Sequence, residues 1–202
     1  NQGMLSFCDA LYLLFVENMA CVVKHNPVRA YNHRWMEALF APLVRAGYFA
    51  SVVGGVDESQ ALVYDDRVDH VHMTGGKATH DAIVWGGGQR DRNLLGKPIT
   101  SELGAVTPYV IGPGDWSETE LSHHARYFAT VLANNNGCNC NAPQVLVLPA
   151  GKFPTAKFLE TVKGVLRSRP HAPPYYPGTA SRHQAWVDGL GRLDGATTEL
   201  IS

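Results

Sequence analysis

The sequence predicts an α/β fold built on a parallel sheet, and three observations carry that prediction. Short apolar strands rich in β-branched residues recur at Ala20–Lys24, Phe49–Val53 and His70–Met73. Helix-period segments separate them. The same alternation resumes at Pro108–Ile111 and Gln144–Leu148, around a long helical stretch. Strand alternating with helix marks βαβ units, whose crossover helices cover a parallel sheet.

Each element has a local cause. Leu5–Glu17 is apolar all round (Leu11, Leu13, Leu14, Phe15, Val16), which suits a buried helix. Asn26-Pro27 breaks the first strand, because the residue before proline is pushed out of the helical region. Trp35–Arg45 reads as a second helix with Trp35, Leu39 and Leu43 as its buried stripe; Gly47 closes it and Pro42 is placed to kink it. Gly54-Gly55 stops the Phe49–Val53 strand, and Glu58–Tyr64 forms a short helix. After His70–Met73 come Thr74-Gly75-Gly76 and a helical stretch, then a Gly86-Gly87-Gly88 loop across Trp85–Leu95. The long helix runs from about Ser117 to Asn134, its start marked by the Ser117/Glu120 capping-box spacing. An amphipathic helix is expected over Thr155–Arg167 and another over Ser181–Leu190, beyond a Pro-rich stretch. No internal repeat is visible.

Bulk properties narrow the function classes. The 202 residues, 45% apolar and 17% charged, are ordinary for a globular protein. A net charge of −1 gives no reason to expect nucleic acid or an anionic membrane as partner. No apolar run approaches the roughly 20 residues of a membrane span. Four cysteines without a regular framework point to reduced thiols in a cytoplasmic setting. The chain starts without methionine and shows no signal-peptide pattern, so Asn1 is expected to be an internal residue of a longer protein.

Four places can carry chemistry. Cys140 lies in a Gly- and Asn-rich bend, Asn134-Asn135-Asn136-Gly137-Cys138-Asn139-Cys140, that leads into an apolar strand. A nucleophilic thiol needs such a hydrogen-bond-rich setting, although many cysteines are simply small buried groups. A metal site using Cys138, Cys140, His123 and His124 fails on spacing, and no metal is expected. Glu102, between the extended Pro98–Thr100 stretch and Gly104, is by itself an ordinary solvated loop residue. Thr74-Gly75-Gly76 follows a strand and precedes a helix, where backbone N–H groups can meet a phosphate, but the full dinucleotide fingerprint is lacking. Lys24 stands at a strand's C-terminal end, where open α/β sheets bind ligands.

Taken in order, these motifs resemble the aldehyde dehydrogenase superfamily. The family pattern of an asparagine, a strand-end lysine, Thr-Gly-Ser, Glu-Leu-Gly-Gly and Gly-x-x-Cys-x-Ala is matched by Asn1, Lys24, Thr74-Gly75-Gly76, Glu102-Leu103-Gly104-Ala105 and Gly137-Cys138-Asn139-Cys140-Asn141-Ala142. The resemblance runs from Asn1 to about Pro149. It implies a Rossmann-like cofactor portion over residues 1–103 and part of an α/β catalytic domain over 104–202. It also implies NAD or NADP as cofactor, a small-molecule aldehyde as substrate, and a cytoplasmic, homo-oligomeric parent. Cys140 is implied as nucleophile, Glu102 as general base, and the Asn1 amide with the Cys140 N–H as oxyanion donors. Lys24, Gly54, Gly55, Thr74, Gly75, Gly76 and Leu103 are implied to line the cofactor. An acylating outcome with coenzyme A, or a non-catalytic cofactor-binding or scaffold relative, stays open. The sequence departs from the pattern at Gly76, where many members carry serine, and at Ala105-Val106, where they carry Gly-Lys. Pro27 replaces a glutamate that NAD-preferring members often use on the ribose, so NADP is expected to be tolerated.

Overall fold

The computed structural model describes residues 2–86, 92–170, 172–190, 199 and 201. Two compact units are present, Gln2–Gly104 and Ala105–Ser202. Among the described residues the first holds two parallel strand pairs and the second one, with helical crossovers, as the alternation predicts.

In the first unit, α1 (Leu5–Phe15) leads to β1 (Cys21–His25), then α2 (Tyr31–Leu39), α3 (Ala41–Arg45) and β2 (Phe49–Val53). β1 and β2 pair in parallel from Cys21–Phe49 through His25–Val53. α4 (Val56–Val63) connects to β3 (Val71–Gly75), and α5 (Lys77–Trp85) to β4 (Ile99–Leu103). β3 and β4 are parallel too, from Val71–Ile99 through Gly75–Leu103. In the second unit β5 (Thr107–Val110) pairs in parallel with β6 (Pro143–Val147) across α6 (Glu118–Ala133); α7 (Thr155–Ser168) and α8 (Thr179–Leu190) follow. Among the described residues the strands form three parallel pairs.

Local chemistry explains the boundaries. The Asn26 side chain accepts a hydrogen bond from the Val28 N–H at 3.0 Å and starts a 3₁₀ turn over Pro27–Arg29. At α6 the capping box is realised: Ser117 Oγ accepts from the Glu120 N–H at 3.3 Å, and Glu120 Oε2 accepts from the Ser117 N–H at 2.9 Å. The expected Trp35–Arg45 helix is two helices. The break falls at Phe40 because Pro42, which has no N–H to give, sits in the first turn of α3.

The buried stripe also differs from the expected one. Asn32, Met36 and Phe40 face inward, while Trp35 and Leu39 are exposed, against expectation; Trp35 lies under the Arg34 guanidinium, 4.6 Å from the ring centre. α1 is not buried all round either. Ala10, Phe7 and Leu14 pack toward Met36, Phe40 and Phe49, while Leu11, Tyr12 and Phe15 are exposed. The core of the second unit joins α6 and α7: Leu121, Ala125, Phe128 and Ala129 pack with Phe158, Val162 and Ile111. The glycine run expected to form a loop falls partly on residues 87–91, outside the described residues; Trp85 itself ends α5.

Candidate functional site

The first unit gathers the predicted cofactor residues at the C-terminal ends of its strands. Lys24, fourth in β1, donates from Nζ to the Gly54 carbonyl at 3.1 Å and the Gly55 carbonyl at 3.4 Å. Burial pushes its ammonium group below the ordinary lysine value, and the Glu58 carboxylate pulls it partly back. Gly54 must be glycine for a steric reason. A Cβ there would lie 2.5 Å from Glu58 Cβ, so α4 could not approach so closely. Glu58 Oε2 accepts the Gly55 N–H at 2.7 Å and ties the helix start to the strand end. In the sequence Glu58 stands out only as the start of a helix; its spacing of three from Gly55, as in a capping box, is the local signal of this contact.

Thr74, Gly75 and Gly76 lie one strand pair away. Thr74 and Gly75 are the last residues of β3 and not part of a turn, and Gly76 caps α5 in extended backbone. Glu102 is likewise strand, not loop: the extended stretch runs on through Leu103 because β4 pairs with β3 along its whole length. Thr74 stands opposite Glu102, and Gly75 opposite Leu103. Glu102 remains exposed on that face. Around Gly76 nothing lies within 4 Å of where a Cβ would be, so the N-terminus of α5 is open to an anionic group.

Beside Lys24 a polar chain runs from buried His25 and Ser51 through half-buried His33 to exposed Glu37. Ser51 Oγ is 2.9 Å from His25 Nε2 and 2.9 Å from His33 Nδ1, and His33 Nε2 is 3.5 Å from Glu37 Oε2. With His25 Nε2–H donating to Ser51 Oγ, the hydroxyl proton is available to His33 Nδ1. Burial, the nearby His33 and Lys24 all push the His25 imidazole below its ordinary value, which favours the neutral ring. Only a strand-period reading of His25 against Ser51 across β1 and β2 could have suggested the contact.

Cys140 belongs to the second unit, on the irregular segment between α6 and β6. Asn135, Asn136 and Gly137 take left-handed backbone in succession, with φ of 52°, 54° and 68°. Asparagine and glycine are the residues that adopt this region most readily. Side-chain amides hold the bend: Asn135 Nδ2 donates to Asn139 Oδ1 and Asn139 Nδ2 to Asn134 Oδ1, each at 2.9 Å. Tyr175 Oη donates to Asn135 Oδ1 at 2.9 Å. Thr107 Oγ1 donates to the Cys140 carbonyl at 2.8 Å, anchoring the bend to β5. The Cys140 side chain is exposed, whereas Cys138 is half-buried with Sγ 3.7 Å from the Asn136 carbonyl. None of the four cysteines is in a disulfide. Among the described residues no three His, Cys, Asp or Glu side chains cluster as a metal site. The His124 ring instead stands edge-on to Trp116, 5.1 Å between ring centres. Asn1 lies outside the described residues, and no described helix is long and apolar enough to cross a membrane.

The order of these motifs, with the strand ends they occupy, can be set against known proteins. The model of the aldehyde dehydrogenase family matches residues 8–180. The chain belongs to the aldehyde dehydrogenase family. Among solved structures, AldH of Staphylococcus aureus in a substrate-bound state superposes with a TM-score of 0.60 at 15% identity, over 88% of this chain and 39% of that one. The succinic semialdehyde dehydrogenase of Streptococcus pyogenes, in complex with NADP+, gives 0.59 at 22% identity, over 84% and 36%. An aldehyde dehydrogenase of Mycobacterium tuberculosis complexed with NAD+ gives 0.53 at 21% identity, over 77% and 30%. At these identities the likeness speaks for the shared α/β fold. The chain spans 30% to 39% of the length of these three family structures. No curated protein matches it.

Proposed function

We propose that this chain supplies much of the cofactor-binding portion (residues 1–103) and the start of the catalytic portion (104–202) of an NAD(P)-dependent aldehyde dehydrogenase. The observation that carries this reading is the register of β3 on β4. It sets the helix-start segment Thr74-Gly75-Gly76 beside Glu102-Leu103 at one strand end. A phosphate-accepting backbone and a candidate base are thereby neighbours at one strand end, which supports the dehydrogenase reading.

The residues present fit a dinucleotide. Lys24 offers a half-buried ammonium group at the strand ends, and the N-terminus of α5, open beside Gly76, offers backbone N–H groups to a pyrophosphate. Gly54 and Gly55 shape the wall beside Lys24, and Leu103 lies beside Gly75. With Pro27 where a carboxylate would repel a 2′-phosphate, NAD and NADP are both accepted. When bound, the nicotinamide supplies a hydride acceptor.

The chain's own residues do the rest. The Cys140 thiolate attacks the aldehyde carbon; the C–S bond forms and the carbonyl electron pair moves onto oxygen, where the Asn1 amide and the Cys140 N–H receive it. Loss of hydride leaves a thioester on Cys140. Glu102 takes a proton from water, the hydroxide adds to the thioester, the C–S bond breaks, and a carboxylic acid leaves with the thiolate restored. A carboxylate at position 102 favours water over coenzyme A as the acyl acceptor. The family resemblance supports a cytoplasmic, homo-oligomeric parent acting on a small aldehyde.

The test is aldehyde-dependent appearance of reduced cofactor in the intact protein that carries this chain. Cys140→Ser is expected to abolish it, by more than about 1,000-fold, and Cys138→Ser to retain it. The reverse pattern, or no reduction of either cofactor, contradicts the proposal.

A further inference from the structure

The bend that carries Cys140 is gripped from outside by a segment that the reaction does not use. Pro173-Pro174-Tyr175-Tyr176-Pro177 follows α7 and leads into α8. Asn136 Nδ2 donates to the Pro173 carbonyl at 3.1 Å, and Tyr175 Oη donates to Asn135 Oδ1 at 2.9 Å. These contacts close chain separations of 37 and 40 residues. They fall on two of the three non-glycine residues with positive φ among those described, Asn135 and Asn136. Asparagine tolerates that backbone singly, whereas a run of it needs support from its surroundings. The segment is itself stiff, since three prolines fix its φ angles. The Tyr176 carbonyl accepts from the Thr179 N–H at 3.2 Å and from Thr179 Oγ1 at 2.6 Å, and the Arg182 guanidinium lies 5.5 Å from the Tyr176 ring centre.

We propose that Tyr175 is a positioning residue for Cys140, acting through Asn135 and Asn139; this rests on the reading of Cys140 as the nucleophile. The contacts form one line. Tyr175 Oη bonds Asn135 Oδ1, Asn135 Nδ2 bonds Asn139 Oδ1, and Asn139 Nδ2 returns to Asn134 Oδ1, each at 2.9 Å. Asn139 immediately precedes Cys140, so the N–H assigned to the oxyanion belongs to the peptide between them. On the other side of the thiol, Thr107 Oγ1 holds the Cys140 carbonyl at 2.8 Å. The peptides flanking Cys140 are thereby tied to two separate supports, β5 and the proline-rich segment. Because the Cys140 side chain is exposed, its direction depends on those peptides and not on core packing. Nucleophilic attack tolerates little error, since a misplacement of about 1 Å can cost about 100-fold. The Tyr175 hydroxyl thus has a task that an ordinary surface tyrosine would not need.

Two measurements on the intact protein separate the parts of this inference. In the first, hydrogen exchange of residues 134–140 is compared in wild type, Tyr175→Phe and a control, Tyr176→Phe. Tyr175→Phe is expected to raise it several-fold with α6 and α7 unchanged, and Tyr176→Phe to leave it unmoved. No rise in Tyr175→Phe, or an equal rise in Tyr176→Phe, overturns the contact's role. In the second, reduction of NAD or NADP by aldehyde is timed in a single turnover with enzyme in excess. Tyr175→Phe is expected to slow it about 3–10-fold, the worth of one hydrogen bond, with cofactor affinity and thioester hydrolysis unchanged. Asn135→Gly, which keeps access to positive φ, is expected to slow it likewise, and adding Tyr175→Phe should then change nothing more. A wild-type rate in Tyr175→Phe, or additive losses in the double variant, overturns the positioning role alone. If the wild-type protein reduces no cofactor, or acylates another residue, while the exchange changes hold, the reading of Cys140 fails and the role falls with it.

Discussion

The two units hold their candidate residues by different means. In Gln2–Gly104 the predicted positions sit on strands or at their ends, where ladder pairing fixes them: Thr74 against Glu102, Gly75 against Leu103, Lys24 bonded across to Gly54. In Ala105–Ser202 the nucleophile candidate sits on an irregular bend fixed by three left-handed residues and a set of asparagine amides. A ladder tolerates side-chain change, because the backbone does the holding. A bend of this kind does not, because its geometry depends on particular side chains and on glycine's freedom at positive φ. Substitutions in the first unit should therefore change chemistry with little loss of local order, and substitutions in the bend should change both.

The largest expected effect tests the ladder side. Glu102→Gln keeps the shape of an exposed strand residue and should slow thioester hydrolysis by about 10²–10⁴-fold. Acyl-enzyme should accumulate as a burst while β4 keeps its hydrogen-exchange protection; loss of that protection would erase the contrast. Next comes the core of the second unit. Phe158 is fully buried between α6 and α7, and Phe158→Ala should cost about 3–5 kcal/mol, read from chemical denaturation of the intact protein. A cost under about 1 kcal/mol would mean that this core does not support the second unit.

A smaller effect addresses the bend itself. Gly137→Ala meets only an ordinary contact, the Leu132 carbonyl at 3.5 Å, but it must hold φ near 68°. It should cost about 1–2 kcal/mol and raise the hydrogen exchange of residues 138–142, leaving β3 and β4 untouched. Equal exchange in both regions would show that the bend is no more dependent on its backbone than the ladder is.

The smallest effect concerns His25. Its folded-state value lies below the ordinary 6.5, so the folded protein binds fewer protons than the unfolded chain below that pH. The stability contributed by the neutral ring is fully present above about 6.5 and is lost as pH falls below it. His25→Gln should flatten that loss in thermal melts between pH 7 and 5. An unchanged slope would take His25 out of the account.

The same contrast explains what was legible in the sequence. β2 came out at Phe49–Val53 because its apolar run is bounded by a strong breaker, Gly54-Gly55. α6 began where Ser117 and Glu120 said it would, because a capping box is wholly local. The Trp35 stripe is not legible because the period alone does not say which face of α2 meets the core, and the face that does carries Asn32, Met36 and Phe40. Glu102 reads as loop in the sequence because its strand character comes from pairing with β3, 28 residues earlier in chain position at Thr74. The Ser51 bridge between His25 and His33 is a tertiary fact, written in no local pattern. The bend around Cys140 was legible as a bend from its Asn and Gly content alone. The residues that hold it, Thr107 and Tyr175, were not.

The central claim is that Cys140, and not Cys138, carries the acyl group. Rapid acid quenching of the intact Glu102→Gln protein during aldehyde turnover, followed by peptide mass mapping, tests it most directly. The account predicts an acyl adduct on Cys140 that forms only with NAD or NADP present. An adduct on Cys138, or none on either cysteine while reduced cofactor appears, would contradict it.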